Sequence, residues 1–180
     1  IVAAAAIVTP ITKALEISID AHVSSIGSIN ANPISTCPPK WANETCQNIR
    51  CRDPKAASDM IKIVEESRRK LDSIGSEVEL KISGMPIGIG EPWFDGIEPY
   101  LARAMMSIPA ARGVEFGKGF SVVGMAGSEH NNPWGGDKEN PVLLGEKPDG
   151  ALAGLSTGSD LFCKVAFKPP SSIPKEQVTL

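Results

Sequence analysis

Residues 84–120 read GMPIGIGEPWFDGIEPYLARAMMSIPAARGVEFGKGF, and this stretch decides the expected fold. The glycines and prolines of residues 84–92 predict a turn that ends the preceding strand. Apolar residues then recur at helical spacing, and Pro109 and Gly113 end this helix before a strand that contains further glycines. The helical positions are Phe94, Ile97, Leu101, Ala104 and Met105. The stretch therefore predicts a strand, a turn, a helix and a second strand, in that order.

Two alternating segments lie upstream of this stretch. In residues 17–23, Ile17, Ile19, Ala21 and Val23 share one face and Ser18, Asp20 and His22 share the other, which predicts a half-buried strand. Residues 77–82 also alternate, and Val78, Leu80 and Ile82 are expected to face inward. Strands that alternate and are separated by helices indicate antiparallel or mixed sheets packed on helices, so the predicted class is α+β.

A helix is predicted between these two strands. Asp53 is a favourable N-cap residue and Pro54 suits the first helical position. Its apolar residues keep helical spacing and are Ala57, Met60, Ile61, Val64 and Leu71. Residues 28–52 contain three prolines and three cysteines, and are predicted to form an irregular surface loop.

The chain begins with the apolar, alanine-rich residues 1–8, which predict a buried helix. This run is too short for a membrane span, and no basic residue precedes it to make a signal peptide. No N-cap residue precedes it either, so we expect the 180 residues to be a single domain that is a fragment of a larger one.

Composition excludes several classes of protein. The chain has 42% hydrophobic residues and a net charge of −3, from 18 basic and 21 acidic residues, so no overall field attracts nucleic acid or an acidic membrane. Four cysteines without a secretory signal favour reduced thiols in the cytoplasm. The alternative, a zinc-binding interaction domain, requires Cys37, Cys46 and Cys51 to converge, but their spacing lacks paired C-x-x-C motifs and we predict no metal site.

The last predicted strand, residues 160–168, places two lysines on one face. Phe162, Lys164, Ala166 and Lys168 alternate with Leu161, Cys163, Val165 and Phe167. Pro169, Pro170, Ser171 and Ser172 follow, so ammonium groups, hydroxyls and backbone N–H groups come together at a rigid turn. Such a set is suited to a phosphate group, although a solvated edge strand with a Pro-Ser turn explains the same pattern.

Three stretches resemble the central part of chorismate synthases, in the same order. They are residues 84–120, the GSEHNN of residues 127–132, and residues 153–177 with GLSTG and KVAFKPPSSI. The resemblance implies a β-α-β sandwich in which helices pack between antiparallel sheets. It also implies that N-terminal and C-terminal portions of the family fold are absent from this chain.

The resemblance implies a lyase of the shikimate pathway, which serves aromatic amino acid biosynthesis. Its reaction is the 1,4-elimination of phosphate from 5-enolpyruvylshikimate-3-phosphate to give chorismate, and it requires reduced FMN. A cytoplasmic homotetramer that binds neither nucleic acid nor membrane is the corresponding expectation. The alternative is a catalytically incomplete module that binds flavin or phosphate, or forms part of an oligomer core, without activity alone.

The resemblance also implies which residues bind FMN. The family Lys-Pro run assigns Lys168 and Ser172 to the flavin phosphate, with Pro169, Pro170 and Ser171 in the same wall. Pro109 and Ala110 match a family Asn-Ala pair, and Ala153 replaces the first glycine of a family turn, a change that limits backbone freedom. No catalytic residue is expected, because the two family histidines belong to upstream motifs to which neither His22 nor His130 corresponds.

Overall fold

The computed structural model describes residues 1–145, 149–176 and 178. Helices and strands are interspersed along this part of the chain. The helices that it contains are α1 (Val2–Ala14), α2 (Glu44–Ile49), α3 (Pro54–Arg69), α4 (Ile97–Met106) and α5 (Gly127–His130), with 3-10 turns at Trp93–Asp95 and Gly119–Gly124. The strands are β1 (Ser18–Ile26), β2 (Ile29–Asn30), β3 (Ser76–Ser83), β4 (Ala111–Phe116), β5 (Trp134–Gly136), β6 (Pro141–Leu143), β7 (Ala151–Leu152), β8 (Leu155–Ser156) and β9 (Leu161–Phe167).

The strands form a five-stranded sheet and two small ribbons. The sheet has the order β2-β1-β3-β9-β4, and β1 pairs antiparallel with β2. The ribbons are the antiparallel pairs β5-β6 and β7-β8. Mixed helices and antiparallel sheets confirm the predicted α+β class.

Two compact units make up the chain. The first comprises Ile1–Asp20, Lys81–Ala104 and Glu115–Cys163. The second comprises Ala21–Leu80, Met105–Val114 and Lys164–Leu180. Each unit has its own buried apolar cluster.

The core of the second unit packs around α3. Its buried members are Ile26, Cys46, Cys51, Ala56, Ala57 and Met60. The Asp53 carboxylate accepts hydrogen bonds from the amides of Lys55 and Ala56, at 3.0 and 3.1 Å, and Pro54 takes the first position of α3. The predicted start of this helix is confirmed.

Residues 28–52 are less irregular than predicted, because they contain β2 and α2. Asn43 caps α2 by accepting a hydrogen bond from the Cys46 amide at 2.9 Å, and Arg50 ends the helix in a left-handed conformation with φ 59°. Both cysteines of the second-unit core, Cys46 and Cys51, come from the end of this segment. Burial of these two residues stabilises local structure in a segment that contains several prolines.

The core of the first unit consists of Ile82, Ile97 and Leu161, with Met85 and Leu101 packed against it. The helix predicted to begin near Pro92 begins instead at Ile97, because Gly96 adopts an extended conformation after the 3-10 turn. Phe94, predicted to line one side of this helix with Ile97 and Leu101, precedes the helix and is 85% exposed. That assignment was therefore wrong.

Helix α1 differs most from its prediction. It forms as expected, but none of its residues is buried, so the prediction of a buried helix was wrong. Large apolar side chains such as Ile7 and Ile11 remain exposed on it. Among the described residues, no helix combines the length and the apolar character that crossing a membrane requires.

Candidate functional site

The 168–172 turn, which contains Lys168, Pro169, Pro170, Ser171 and Ser172, follows directly after β9. Leu161, Cys163 and Val165 are buried on one face of that strand, and this confirms the predicted alternation. All five residues of the turn are exposed. Two consecutive prolines remove two backbone donors, so the turn depends on contacts with other segments for its shape.

One such contact joins the turn to the segment after α4. The Lys168 amide donates a 3.0 Å hydrogen bond to the Ala110 carbonyl oxygen. Ala110 has φ 70°, a left-handed conformation that costs a residue with a Cβ roughly 1–2 kcal/mol. The structure therefore brings Pro109 and Ala110 beside Lys168, and strained backbone of this kind is often found at binding sites.

The two lysines of β9 and its end have different surroundings. The Lys164 ammonium lies 3.6 Å from the Glu77 carboxylate, which also accepts a 2.8 Å hydrogen bond from the Ser24 hydroxyl. In the described part of the chain, no carboxylate pairs with the Lys168 ammonium. Of the two cations that were predicted to share a face, Lys168 is the one available to bind an anion at the turn.

Ala153 belongs to the first unit, in the turn between β7 and β8. Its φ is 53°, so alanine keeps the left-handed conformation that glycine adopts more easily. The next residue, Gly154, has no room for a side chain, since a Cβ there would lie 2.4 Å from the Glu91 carbonyl oxygen. Its own carbonyl accepts a 2.8 Å hydrogen bond from the Ile97 amide, which fixes this turn at the start of α4.

A buried polar cluster in the second unit escaped the sequence prediction. His22 and Glu79 are only 2% and 5% exposed, and the His22 Nε2 atom lies 3.1 Å from a Glu79 carboxylate oxygen. The same oxygen accepts a 2.7 Å hydrogen bond from the Ile34 amide. The other ring nitrogen of His22, Nδ1, accepts from the Arg52 amide at 3.3 Å.

The cluster keeps its carboxylates ionised. Burial by itself raises the pKa of Glu79, but hydrogen bonds from His22 and from the Ile34 amide outweigh it and lower the pKa overall. Burial also raises the pKa of Asp53, but hydrogen bonds from the amides of Asn32, Ala56 and Lys55 outweigh this effect and lower the pKa overall. Both carboxylates are fully engaged within the protein, so this cluster stabilises the fold.

The sequence contained one signal for this cluster. His22 and Glu79 each stand on the polar face of an alternating strand, opposite the apolar residues that were expected to face inward. In β1 the burial is the reverse of what polarity suggests, because His22 and Ser24 are buried while Ile19 is 57% exposed. Glu79 is in fact more buried than Val78 and Leu80.

His130, in the first unit, also has a partner. Its Nε2 atom lies 3.0 Å from an Asp149 carboxylate oxygen. The two residues line a cavity of about 330 Å³ with Asn131, Asn132 and Trp134 among its walls. Nearby Glu98 has a raised pKa, first because it is buried and second because Asp149 repels its charge. His130 is thus held by an acidic neighbour at the end of α5.

The cysteines offer no metal centre in the part of the chain that the structure describes. No group of three or more His, Cys, Asp or Glu side chains there is arranged to hold a metal ion. Cys46 and Cys51 belong to the apolar core, and burial raises the pKa of Cys51 to about 11. A thiol in this state is a poor metal ligand, because thiolate is the binding form.

Fold and site together define an α+β protein with an exposed Lys-Pro-Pro-Ser-Ser turn whose ammonium and hydroxyl donors suit an anion. The family model of chorismate synthase matches residues 1–180. Chorismate synthase of Roseiflexus castenholzii is 40% identical over 168 residues, which cover 91% of this chain and 45% of that protein. The enzyme of Aeropyrum pernix is 40% identical over 188 residues, covering 100% of this chain and 48% of that one.

A solved crystal structure of chorismate synthase has the same fold, with a TM-score of 0.79 and 24% identity over 93% of this chain and 53% of that one. The chain therefore belongs to the chorismate synthase family. It spans about half the length of the curated relatives that it matches.

Proposed function

We propose that this chain provides part of an enzyme that converts 5-enolpyruvylshikimate-3-phosphate to chorismate with reduced FMN, a phosphate lyase reaction of the shikimate pathway. The observation that carries the proposal is the match of the chorismate synthase family along all 180 residues. Relatives at 40% identity that carry this name support it.

The residues of the 168–172 turn fit the phosphate group of FMN. The Lys168 ammonium and the hydroxyls of Ser171 and Ser172 are exposed donors, and phosphate oxygens accept from such groups strongly. Pro109 and Ala110 lie against the same turn through the bond from the Lys168 amide. We propose that these residues, with Pro169 and Pro170, hold the cofactor phosphate. The proposed role of Ala153 in FMN binding rests on membership of the family alone.

Reduced FMN, when bound, supplies electron density that promotes loss of phosphate without net oxidation or reduction. This chain's own contribution is to bind and orient. Lys168 neutralises charge on the cofactor phosphate, and the prolines limit the freedom that the turn loses on binding. Proton transfer is not assigned to His22, because both of its ring nitrogens are engaged inside the protein.

A second candidate function is flavin binding without turnover. The buried position of His22 favours it, because both ring nitrogens are engaged inside the protein and this histidine is not available as a general acid. Under this alternative the chain binds FMN or contributes to an oligomer core, and chemistry requires groups that it does not supply.

We also propose a cytoplasmic homotetramer, on the basis of the family. The exposed apolar side chains of α1, such as Ile7 and Ile11, support association with further protein surface. Light scattering coupled to size-exclusion chromatography tests this state, since four chains of 19.0 kDa give about 76 kDa. A mass of one chain at micromolar concentration would contradict it.

An anaerobic assay with reduced FMN and 5-enolpyruvylshikimate-3-phosphate tests the function, with chorismate followed by absorbance and chromatography. Chorismate formation that depends on both additions supports the enzyme. Flavin binding without product supports the second candidate. Neither binding nor product would overturn both proposals for this chain.

A further inference from the structure

The 168–172 turn is held on its second side by residues 72–75, the loop that links α3 to β3. The Ser73 hydroxyl donates a 2.5 Å hydrogen bond to the Pro170 carbonyl oxygen. The Asp72 carboxylate pairs with the Lys175 ammonium just beyond the turn. These contacts reach the turn from residues that lie about a hundred positions earlier in the chain.

At Gly75 the backbone of the 72–75 segment lies close to the end of β9 and to the start of the 168–172 turn. A Cβ added there would lie 3.0 Å from the Phe167 carbonyl oxygen and 3.3 Å from a Pro169 ring carbon. Larger side chains would push the end of β9 away from the loop. The 72–75 segment therefore touches residues before, within and after the turn.

The 72–75 segment is itself anchored in the second unit. Ile74 packs against the apolar core around α3, and the Gly75 carbonyl accepts a 3.0 Å hydrogen bond from the Gly27 amide. The Asp72 amide donates to the Ser67 carbonyl oxygen at 2.9 Å, at the end of α3. Contacts from this segment thus connect the exposed turn to rigid structure.

The turn has few means of holding itself. Pro169 and Pro170 donate no backbone hydrogen bond, and within the described residues the one backbone bond inside the turn region runs from the Ile173 amide to the Ser171 carbonyl, at 3.0 Å. Beneath it lies an open cleft of about 360 Å³, whose walls include Arg68, Leu71, Pro170 and Pro174. Because this cleft is open, side-chain packing beneath the turn does not substitute for the hydrogen bond from the Ser73 hydroxyl.

We infer that Ser73 is a positioning residue, which together with Asp72 and Gly75 fixes the 168–172 turn in the geometry that receives the phosphate of FMN. The inference rests on the proposed function. Lys168 lies two residues before Pro170 in the sequence and Ser172 two residues after it, and the Pro170 carbonyl accepts the hydrogen bond from Ser73. Losing this bond lets the two donors move independently, so they meet the same phosphate less often.

The test is the affinity of Ser73→Ala for FMN and for riboflavin, which lacks the phosphate. We expect FMN to bind about three- to tenfold more weakly, the loss of one neutral hydrogen bond, while riboflavin binding is unchanged. Ser73→Thr keeps the hydroxyl and is expected to restore FMN affinity. Ser58→Ala is the matched control, because the Ser58 hydroxyl also donates to a proline carbonyl, that of Pro54, on the exposed side of α3.

Hydrogen exchange of the turn gives a readout that needs no flavin. The amides of residues 171–173 are expected to exchange faster in Ser73→Ala than in the unchanged chain or in Ser58→Ala. Unchanged exchange and unchanged FMN affinity in Ser73→Ala would overturn the inference and leave the proposed function intact. If the unchanged chain and Lys168→Ala bind FMN equally well, the phosphate assignment fails and this inference fails with it.

Discussion

The second unit contains two polar regions with opposite character. The side chains of His22 and Glu79 are buried, and both are hydrogen-bonded to partners in the protein. In the 168–172 turn the donors are exposed and the described structure supplies no carboxylate for Lys168. Buried titratable residues are often candidates for catalysis. In this protein the hydrogen-bonded His22–Glu79 cluster stabilises the fold, whereas the exposed 168–172 turn is suited to bind a ligand.

The largest expected effect is that of Glu79→Ala, which tests whether the buried His22–Glu79 cluster stabilises the fold. It leaves His22 and the Ile34 amide buried without their acceptor, and each unsatisfied buried group costs roughly 1–3 kcal/mol. We expect the free energy of unfolding to fall by about 2–4 kcal/mol in urea denaturation. Glu65→Gln removes an exposed carboxylate 3.8 Å from Arg69 on α3, and serves as the control with a change below about 0.5 kcal/mol. Equal stability of the two variants would show that the cluster is not structural.

Lys168→Ala is expected to act on binding alone. Removing one charge-assisted hydrogen bond to phosphate weakens FMN binding roughly 10- to 100-fold, because such a bond contributes about 1.5–3 kcal/mol. Lys62→Ala, on the exposed face of α3, removes the same charge and leaves the affinity unchanged. Fluorescence titration measures both, and equal affinities for the two variants would exclude the phosphate role of Lys168.

The stability that the buried cluster contributes is expected to depend on pH. The pKa of Glu79 is lowered from its ordinary value of 4.5, so its stabilisation is present above that pH and is lost as pH falls through the lowered pKa. The pKa of Asp53 is lowered from 3.8, so its stabilisation is likewise lost as pH falls through its lowered pKa. Thermal unfolding between pH 7 and 3 should therefore show a shallower decline in Glu79→Gln than in the unchanged chain. Parallel curves would contradict the assignment of the acid-sensitive stability to Glu79.

The smallest expected effect concerns the turn at Ala153. Replacing Ala153 by glycine relieves the left-handed strain at φ 53°, which outweighs the extra entropy of glycine in the unfolded chain. We expect a gain of about 0.5–1 kcal/mol in the free energy of unfolding. Ala102→Gly, within α4, should instead lose about 1 kcal/mol. A loss at both positions would show that Ala153 is not strained.

Local signals in the sequence predicted the elements well. Asp53 and Pro54 marked the start of α3, and the alternation of β9 was correct because its buried face is continuous. The start of α4 was misplaced because Gly96 interrupts a run whose spacing looked helical. Helix α1 was expected to be buried because its side chains are apolar, but burial depends on a partner surface that composition alone does not reveal.

The candidate site was predictable only in part. The Lys-Pro-Pro-Ser-Ser run indicated an anion-binding turn, whereas the contact between Lys168 and Ala110 joins segments more than fifty residues apart. The roles of Lys164 and Ser73 depend on which strand and loop lie beside them. Such long-range neighbours follow from topology, which local patterns do not encode.

The most direct test of the central claim compares FMN with riboflavin on the unchanged chain and on Lys168→Ala, by fluorescence titration. If the 168–172 turn binds the flavin phosphate, the unchanged chain prefers FMN by roughly tenfold or more, and Lys168→Ala reduces this preference towards one while riboflavin affinity stays constant. Equal affinity of the unchanged chain for FMN and riboflavin would contradict the account.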